Sequence, residues 1–229
     1  MTEELRTLLY PFGFIATFFF TIRFFVQWGL SERKGKSHVT KIFWQLSIIG
    51  NTLLMTHAFF QVQFHLCIIQ ACNVVISWRN LDLMEGRRPS APIAKVIVLF
   101  VIAIAAAFSS FAIQSHYAAD TLSWVQAPRT PWHSGGNISM IWHIVGGIGM
   151  ALFASRFWVQ WWQAERAKRS LLSPSFWYLS LFGALLAATY FIALGDVINI
   201  IGYATGIVPY MRNLILLKKE KKEVNYANE

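Results

Sequence analysis

The chain has 229 residues, of which 55% are hydrophobic, 16% aromatic and only 14% charged, whereas a soluble domain carries about 25% charged residues. Twenty Lys and Arg against eleven Asp and Glu give a formal charge of +9. The balance excludes a disordered, collagen-like or ordinary water-soluble protein. The basic residues stand in short clusters between apolar runs of about 20 residues, the length one membrane span requires. The positive charge therefore reads as loop charge, and no nucleic acid is expected as a partner.

Seven helices are predicted in chain order, over residues 8–29, 41–61, 65–84, 94–115, 139–162, 174–194 and 197–217. The runs are too long and too little alternated for barrel strands. Met1 to Arg6 lacks a basic leader region and no small-residue cleavage site follows, so the first span is expected to be uncleaved. Cys67 and Cys72 share the third run on different helix faces and read as core residues, with no disulfide or metal motif. The fourth helix, Ala94 to Ser115, has almost no polar residue in its core and reads as a linker. From His116 to Asn137 an irregular loop with Pro128, Pro131, Gly135 and Gly136 is expected, with Trp124 and Trp132 at the interface. Ser173-Pro174 is a helix start before the sixth span, and Pro209 should kink the last. Trp28, Trp44, Trp161 and Trp177 are expected in the interfacial belt. Gly13, Gly50, Gly146 and Gly183, together with a Gly202-x-x-x-Gly206 spacing, are expected to permit close helix packing.

Sixteen of the twenty basic residues fall in the connections after the first, third and fifth helices, in the tail, or in the helix ends that border them. Arg6 and Arg129 lie on the opposite side, and Arg23 and Arg156 lie inside spans. By the positive-inside rule the N-terminus is outside and the C-terminus cytoplasmic.

The chain repeats itself at an offset of 133. Arg23 pairs with Arg156, Gln27 with Gln160, Trp28 with Trp161, Glu32 with Glu165, Phe43-Trp44 with Phe176-Trp177, Ser47 with Ser180, Gly50 with Gly183 and Arg79-Asn80-Leu81 with Arg212-Asn213-Leu214. Between Gly13/Gly146 and Leu83/Leu216 no gap is needed, and about a third of the positions are identical. Shared hydrophobicity does not align Arg, Gln, Glu and Asn in one register. Each repeat covers three spans, and one extra crossing restores the direction of the second. The expected fold is an all-α integral membrane protein of seven transmembrane helices, with two parallel three-helix repeats and a linker helix (3+1+3). The corresponding domains are residues 1–85, a linker helix with external loop over 86–138, 139–217 and a basic tail over 218–229.

Arg23 and Gln27 share a helix face, as do Arg156 and Gln160. An intramembrane Arg costs about 2.5–3.5 kcal/mol on insertion scales unless something answers its charge. Its planar fork of donors suits phosphate or carboxylate, which makes these four residues candidates for an anionic headgroup. Against that stands snorkelling to the interface, or pairing with Glu32 or Glu165. Gln70, Asn73 and Tyr203 are further candidate ligand contacts, each of which an interhelical hydrogen bond also explains. Arg79, Asn80, Arg212 and Asn213 sit at helix ends, where they would hold anionic lipid or anchor the helix. No catalytic constellation, phosphate loop or metal cluster emerges; His116, His133 and His143 have no carboxylate pattern beyond Asp120. Neither cofactor nor metal is expected.

The repeat pattern resembles the lipid A biosynthesis N-terminal domain family. It is carried by Arg23-Phe24, Val26-Gln27-Trp28, Ser31-Glu32-Arg33, Phe43-Trp44 and Arg79-Asn80-Leu81, and by their counterparts Arg156-Phe157, Val159-Gln160-Trp161, Glu165-Arg166, Ser173-Pro174, Phe176-Trp177 and Arg212-Asn213-Leu214. The halves depart from one another: the family's Gly-Gln in the third helix survives as Gln70 in one repeat and as Gly202 in the other, and the loop Asp is Gln63 in the first and Asp196 in the second. More distantly the pattern is similar to PQ-loop and SWEET carriers. What the resemblance implies is a module of lipid A (lipopolysaccharide) assembly at the bacterial inner membrane, related to lipid-A-disaccharide synthase, that binds or moves an anionic saccharolipid precursor. Its partners would be membrane lipids, a phosphorylated glycolipid among them, and a cytoplasmic glycosyltransferase. Two alternatives stay open, a carrier of a small sugar or nucleotide-sugar and a non-catalytic anchor for a glycosyltransferase. The spans leave no room for a nucleotide-sugar transferase domain, so the synthase reaction itself is not expected of these residues.

Overall fold

A computed structural model describes residues 3–86, 89–117, 124, 139–195 and 197–227. The described residues form nine helices and no strand: α1 (Glu3–Leu8), α2 (Phe12–Lys34), α3 (Lys41–Phe60), α4 (Phe64–Leu83), α5 (Ile93–Tyr117), α6 (Met140–Ala167), α7 (Pro174–Leu194), α8 (Val197–Ala204) and α9 (Ile207–Ala227). Five helical stretches among them are long and apolar enough to cross a membrane: Arg6–Lys34, Ile93–His116, Met140–Ala167, Pro174–Leu194 and Asn199–Glu223. The predicted spans 41–61 and 65–84 form as α3 and α4 but are not among these five. Asn51 and His57 dilute the first, and Gln70, Asn73, Arg79, Asn80 and Asp82 the second.

Prolines and glycines explain the interruptions. Pro11 follows a turn that separates α1 from α2. Pro209 has no N–H for the Thr205 carbonyl, and the helix breaks at Thr205-Gly206 into α8 and α9. The Tyr210 phenol sits where a Cβ on Gly206 would be, so that turn needs glycine. Gly202 has nothing within reach of an added Cβ and lies in α8, whereas Gly206 lies in the turn after it. The Gly202-x-x-x-Gly206 spacing is therefore no packing motif. Pro174 opens α7 at its first turn, and Gly195 ends it at φ +71°.

The chain divides into two compact units, residues 1–20 with 44–133 and residues 21–43 with 134–229. Residues 21–43, from the first sequence repeat, belong to the second unit. In the first, α4 packs on α5, and Trp124 meets Phe108 edge-on and Phe64 and Phe111 at a tilt, with its indole N–H donating to Ser115 Oγ at 2.6 Å. Trp124 is thus tied into a hydrophobic cluster; Trp132, Asp120, His133 and most of the expected external loop lie outside the described residues. In the second unit α7 packs along α6, where a Cβ on Gly149 would meet Ala187 N at 2.6 Å and one on Gly183 would meet Phe153 N at 2.7 Å. Trp44 and Trp177 are fully buried, not in an interfacial belt. Their rings fill core volume that a belt position would waste.

Each unit also contains an aromatic pair at repeat-equivalent positions with the residues exchanged. Tyr10 meets His57 edge-on at 5.6 Å in the first unit, and His143 meets Tyr190 at 5.7 Å in the second. Gly13 makes room for His57, and Gly146 for Tyr190.

Candidate anion-binding site

Arg23 on α2 and Arg156 on α6 are both buried, at 2% and 4% exposure, and both belong to the second unit. Aromatic faces surround them. The Arg23 guanidinium carbon lies 4.9 Å from the centroid of Phe24, 5.3 Å from Phe43 and 5.3 Å from Phe157. That of Arg156 lies 3.2 Å from Phe153 and 4.8 Å from the same Phe157 ring. The shared centroid caps the separation of the two cations at about 10 Å, at which they repel by at least about 1.7 kcal/mol for an effective dielectric constant of about 20. Tyr210, buried against Phe24 and Trp177, is within electrostatic reach of both. Tyr203 stacks on Phe191 and meets Phe153 edge-on.

Arg156 Nη1 donates to the Phe153 carbonyl at 2.8 Å, while its buried Nε has no hydrogen-bond partner. No carboxylate among the described residues pairs with Arg156. Cation–π contact returns about 0.5–2 kcal/mol per ring, which softens the insertion cost without neutralising the charge. A buried cation with an unused guanidinium donor, as at Arg156, favours an anion with acceptor oxygens.

The glutamines do different work. Gln27 and Asn213 are fully buried and exchange amide hydrogen bonds, Gln27 Nε2 donating to Asn213 Oδ1 at 2.8 Å and Asn213 Nδ2 to Gln27 Oε1 at 3.1 Å. Gln27 Nε2 also donates to Ser31 Oγ at 2.9 Å, Ser37 Oγ donates to Asn213 Oδ1, and Asn213 Nδ2 reaches the Pro209 carbonyl. This network ties α2 to α9 and leaves the Gln27 amide no spare donor. Gln160 Nε2 donates to the Leu171 carbonyl at 3.1 Å. Arg212 forms a two-pronged pair with Glu32 at 2.7 and 2.8 Å, with the Trp28 indole also donating to that carboxylate.

Gln70, Asn73, Arg79 and Asn80 lie in the first unit. Arg79 Nη1 binds Asp82 at 2.6 Å and the Ala91 carbonyl at 2.8 Å, closing the loop after α4, and Asn80 bonds back to the Ile76 carbonyl. Asp82 has Ile215 at its repeat-equivalent position, so Arg212 finds its acid on another helix. Asn73 Nδ2 reaches Gln70 Oε1 at 3.5 Å, and Asn73 Oδ1 has no partner. Among the described residues no three His, Cys, Asp or Glu gather into a metal-binding group.

The structure thus brings Arg23, Arg156 and Tyr203 to one aromatic cage. Sequence reading missed Phe43, Phe153, Phe157 and Tyr210. The Arg-Phe pair in both repeats was the available signal for Phe157; Tyr210 aligns with Ser77 and gave none.

Residues 12–82 and 145–215 each match the profile of the Lipid A Biosynthesis N-terminal domain, in the same register as the internal repeat. The chain belongs to that family. Relatives that carry the name lipid-A-disaccharide synthase are 36% identical in Chlamydia felis over 96% of this chain and 35% of the relative, and 33% identical in Chlamydia trachomatis serovar D over 99% and 37%. The Chlamydia pneumoniae relative is 34% identical over 96% of this chain and 35% of its own length. The chain spans about a third of the length of these curated relatives. No solved structure matches it. The family and the apolar helices make it a membrane module related to lipid A biosynthesis.

Proposed function

We propose that this module binds the anionic headgroup of a saccharolipid precursor of lipid A, with Arg23 and Arg156 taking phosphate oxygens. The observation that carries the reading is Arg156, a buried guanidinium with a partnerless Nε and no carboxylate, beside a second buried cation. Gln27 positions α2 against α9, and Gln160 holds α6 to the segment before α7, so that the two cations stay on one centre. Tyr203 closes the aromatic wall.

The module sits in the bacterial inner membrane, with seven membrane crossings in a 3+1+3 order, N-terminus outside and C-terminus in the cytoplasm. The basic loops support this orientation, since Lys and Arg favour the cytoplasmic side. It presents the lipid to a cytoplasmic glycosyltransferase activity, a reading supported by the name of the longer relatives, of which it spans about a third.

Mass spectrometry of lipid retained after mild purification tests the site. Wild-type protein should carry phosphorylated glycolipid, and Arg156→Ala should lose at least tenfold of it while keeping its helical content. Full retention in a folded Arg156→Ala protein overturns the headgroup role.

A further inference from the structure

In the first unit, α3, α4 and α5 enclose an apolar groove of about 380 Å³ that is open on one side. Small residues create it. Ala71 on α4 and Ala103, Ala106 and Ala107 on α5 recede between the bulk of Met55 and Phe59 on α3. Two of the three hydroxyls in its wall are already used, Thr56 Oγ1 donating to the Thr52 carbonyl at 3.0 Å and Ser110 Oγ to the Ala106 carbonyl at 2.8 Å; the third belongs to Thr52. With no charged or amide side chain and one further hydroxyl in an otherwise apolar wall, the groove offers neither a cationic donor for phosphate nor the polar lining a sugar needs.

Its mouth has a definite setting. The wall helix α5 is one of the five stretches able to cross a membrane, and its surface exposes Ile97, Val101, Ile102 and Phe108. In a bilayer such a surface meets hydrocarbon, where no water waits to solvate a polar visitor. An occupant that enters from there, and needs no hydrogen bond, is a hydrocarbon tail. The volume lies at the small end of ligand sites, room for one chain.

We infer that the groove seats one acyl chain of a membrane lipid. The identity of that lipid as a phosphorylated glycolipid rests on the headgroup reading above, whereas the groove itself is testable without any anionic headgroup. The probe is a phosphatidylcholine with a diazirine in one acyl chain, titrated into the full chain in detergent micelles and irradiated, with adducts mapped by peptide mass spectrometry. Adducts should concentrate on Met55, Phe59 and Cys67, saturate, and fall at least tenfold under excess phosphatidylcholine that lacks the diazirine. Ala106→Trp, which fills the groove, should cut them at least tenfold and leave labelling of Val101 and Ile102 unchanged. Adducts spread equally over Val101 and Ile102, or labelling that never saturates, overturn the inference; the wild-type titration decides this even where Ala106→Trp fails to fold. The same probe on Arg156→Ala separates the two readings. Intact groove adducts with unchanged glycolipid retention overturn the headgroup role and support the groove, whereas groove labelling absent from a wild-type protein that retains glycolipid overturns the groove alone.

Discussion

Replacing Asn213 by leucine removes an amide while keeping most of its volume. Four hydrogen bonds disappear: two with Gln27 at 2.8 and 3.1 Å, one from Ser37 Oγ at 3.0 Å and one to the Pro209 carbonyl at 2.8 Å. Gln27 Nε2 keeps Ser31 Oγ and the His38 carbonyl, but Gln27 Oε1 accepts from Asn213 alone and is stranded at 0% exposure. A stranded buried acceptor costs about 1–3 kcal/mol, and hydrogen bonds between membrane helices contribute about 0.6 kcal/mol each on average. Asn213→Leu should therefore cost about 2–4 kcal/mol. Gln27→Leu should cost less, about 1–2 kcal/mol, because Asn213 still has Ser37 and Pro209. The double variant strands neither amide in the pair and should be more stable than the sum of the single losses by about 1–2 kcal/mol. Unfolding from mixed micelles by titrated dodecyl sulfate measures all three. Losses that add to within about 0.5 kcal/mol would refute the coupling of the two amides.

The exchanged aromatic pairs give a reciprocal test: His143→Tyr or Tyr190→His alone should cost about 0.5–1.5 kcal/mol, while the double exchange, which recreates the Tyr10–His57 arrangement, should melt close to wild type. Asp82→Ala breaks a pair whose side chains are 1% and 3% exposed and should cost about 3–5 kcal/mol. Glu32→Ala, whose bridge to Arg212 is 33–43% exposed, should cost under about 1 kcal/mol, and less in high salt. Partial desolvation, then the charges of Lys34 and Lys36, hold the His38 imidazole below its ordinary value, and its Nε2 lies 2.8 Å from Lys34 Nζ. Above the unfolded value near 6.5 the imidazole is neutral in both states and stability is flat; below it the unfolded chain takes the proton first, so stability falls with pH until the folded value is passed. His38→Gln should abolish that fall in pH-resolved unfolding curves.

Helix content, the membrane setting and the doubled register were legible in the residues, because long apolar runs and an ungapped 133-residue repeat are local or one-dimensional signals. So was the family, whose profile matches twice in that register. Arg23 and Arg156 also stood out, since a charge in an apolar run is conspicuous wherever it ends up. What the residues did not disclose was who meets whom. Trp44 and Trp177 look like interfacial anchors in sequence and are core in space, because an indole fits either setting and only its neighbours choose. Gln27 and Gln160 looked alike, yet Gln27 is consumed by an amide 186 positions away.

Sequence by itself thus determined the all-helical class, two arginines within apolar runs and the membership of the chain. Tertiary structure alone decided that Phe157 stands against both cations, that Tyr210 and Tyr203 join that cage, and that Arg212 answers Glu32 while Arg79 answers Asp82. The physical reason is that charge compensation and ring contact act over a few ångströms in space, and residues on separate helices acquire such distances only when those helices pack.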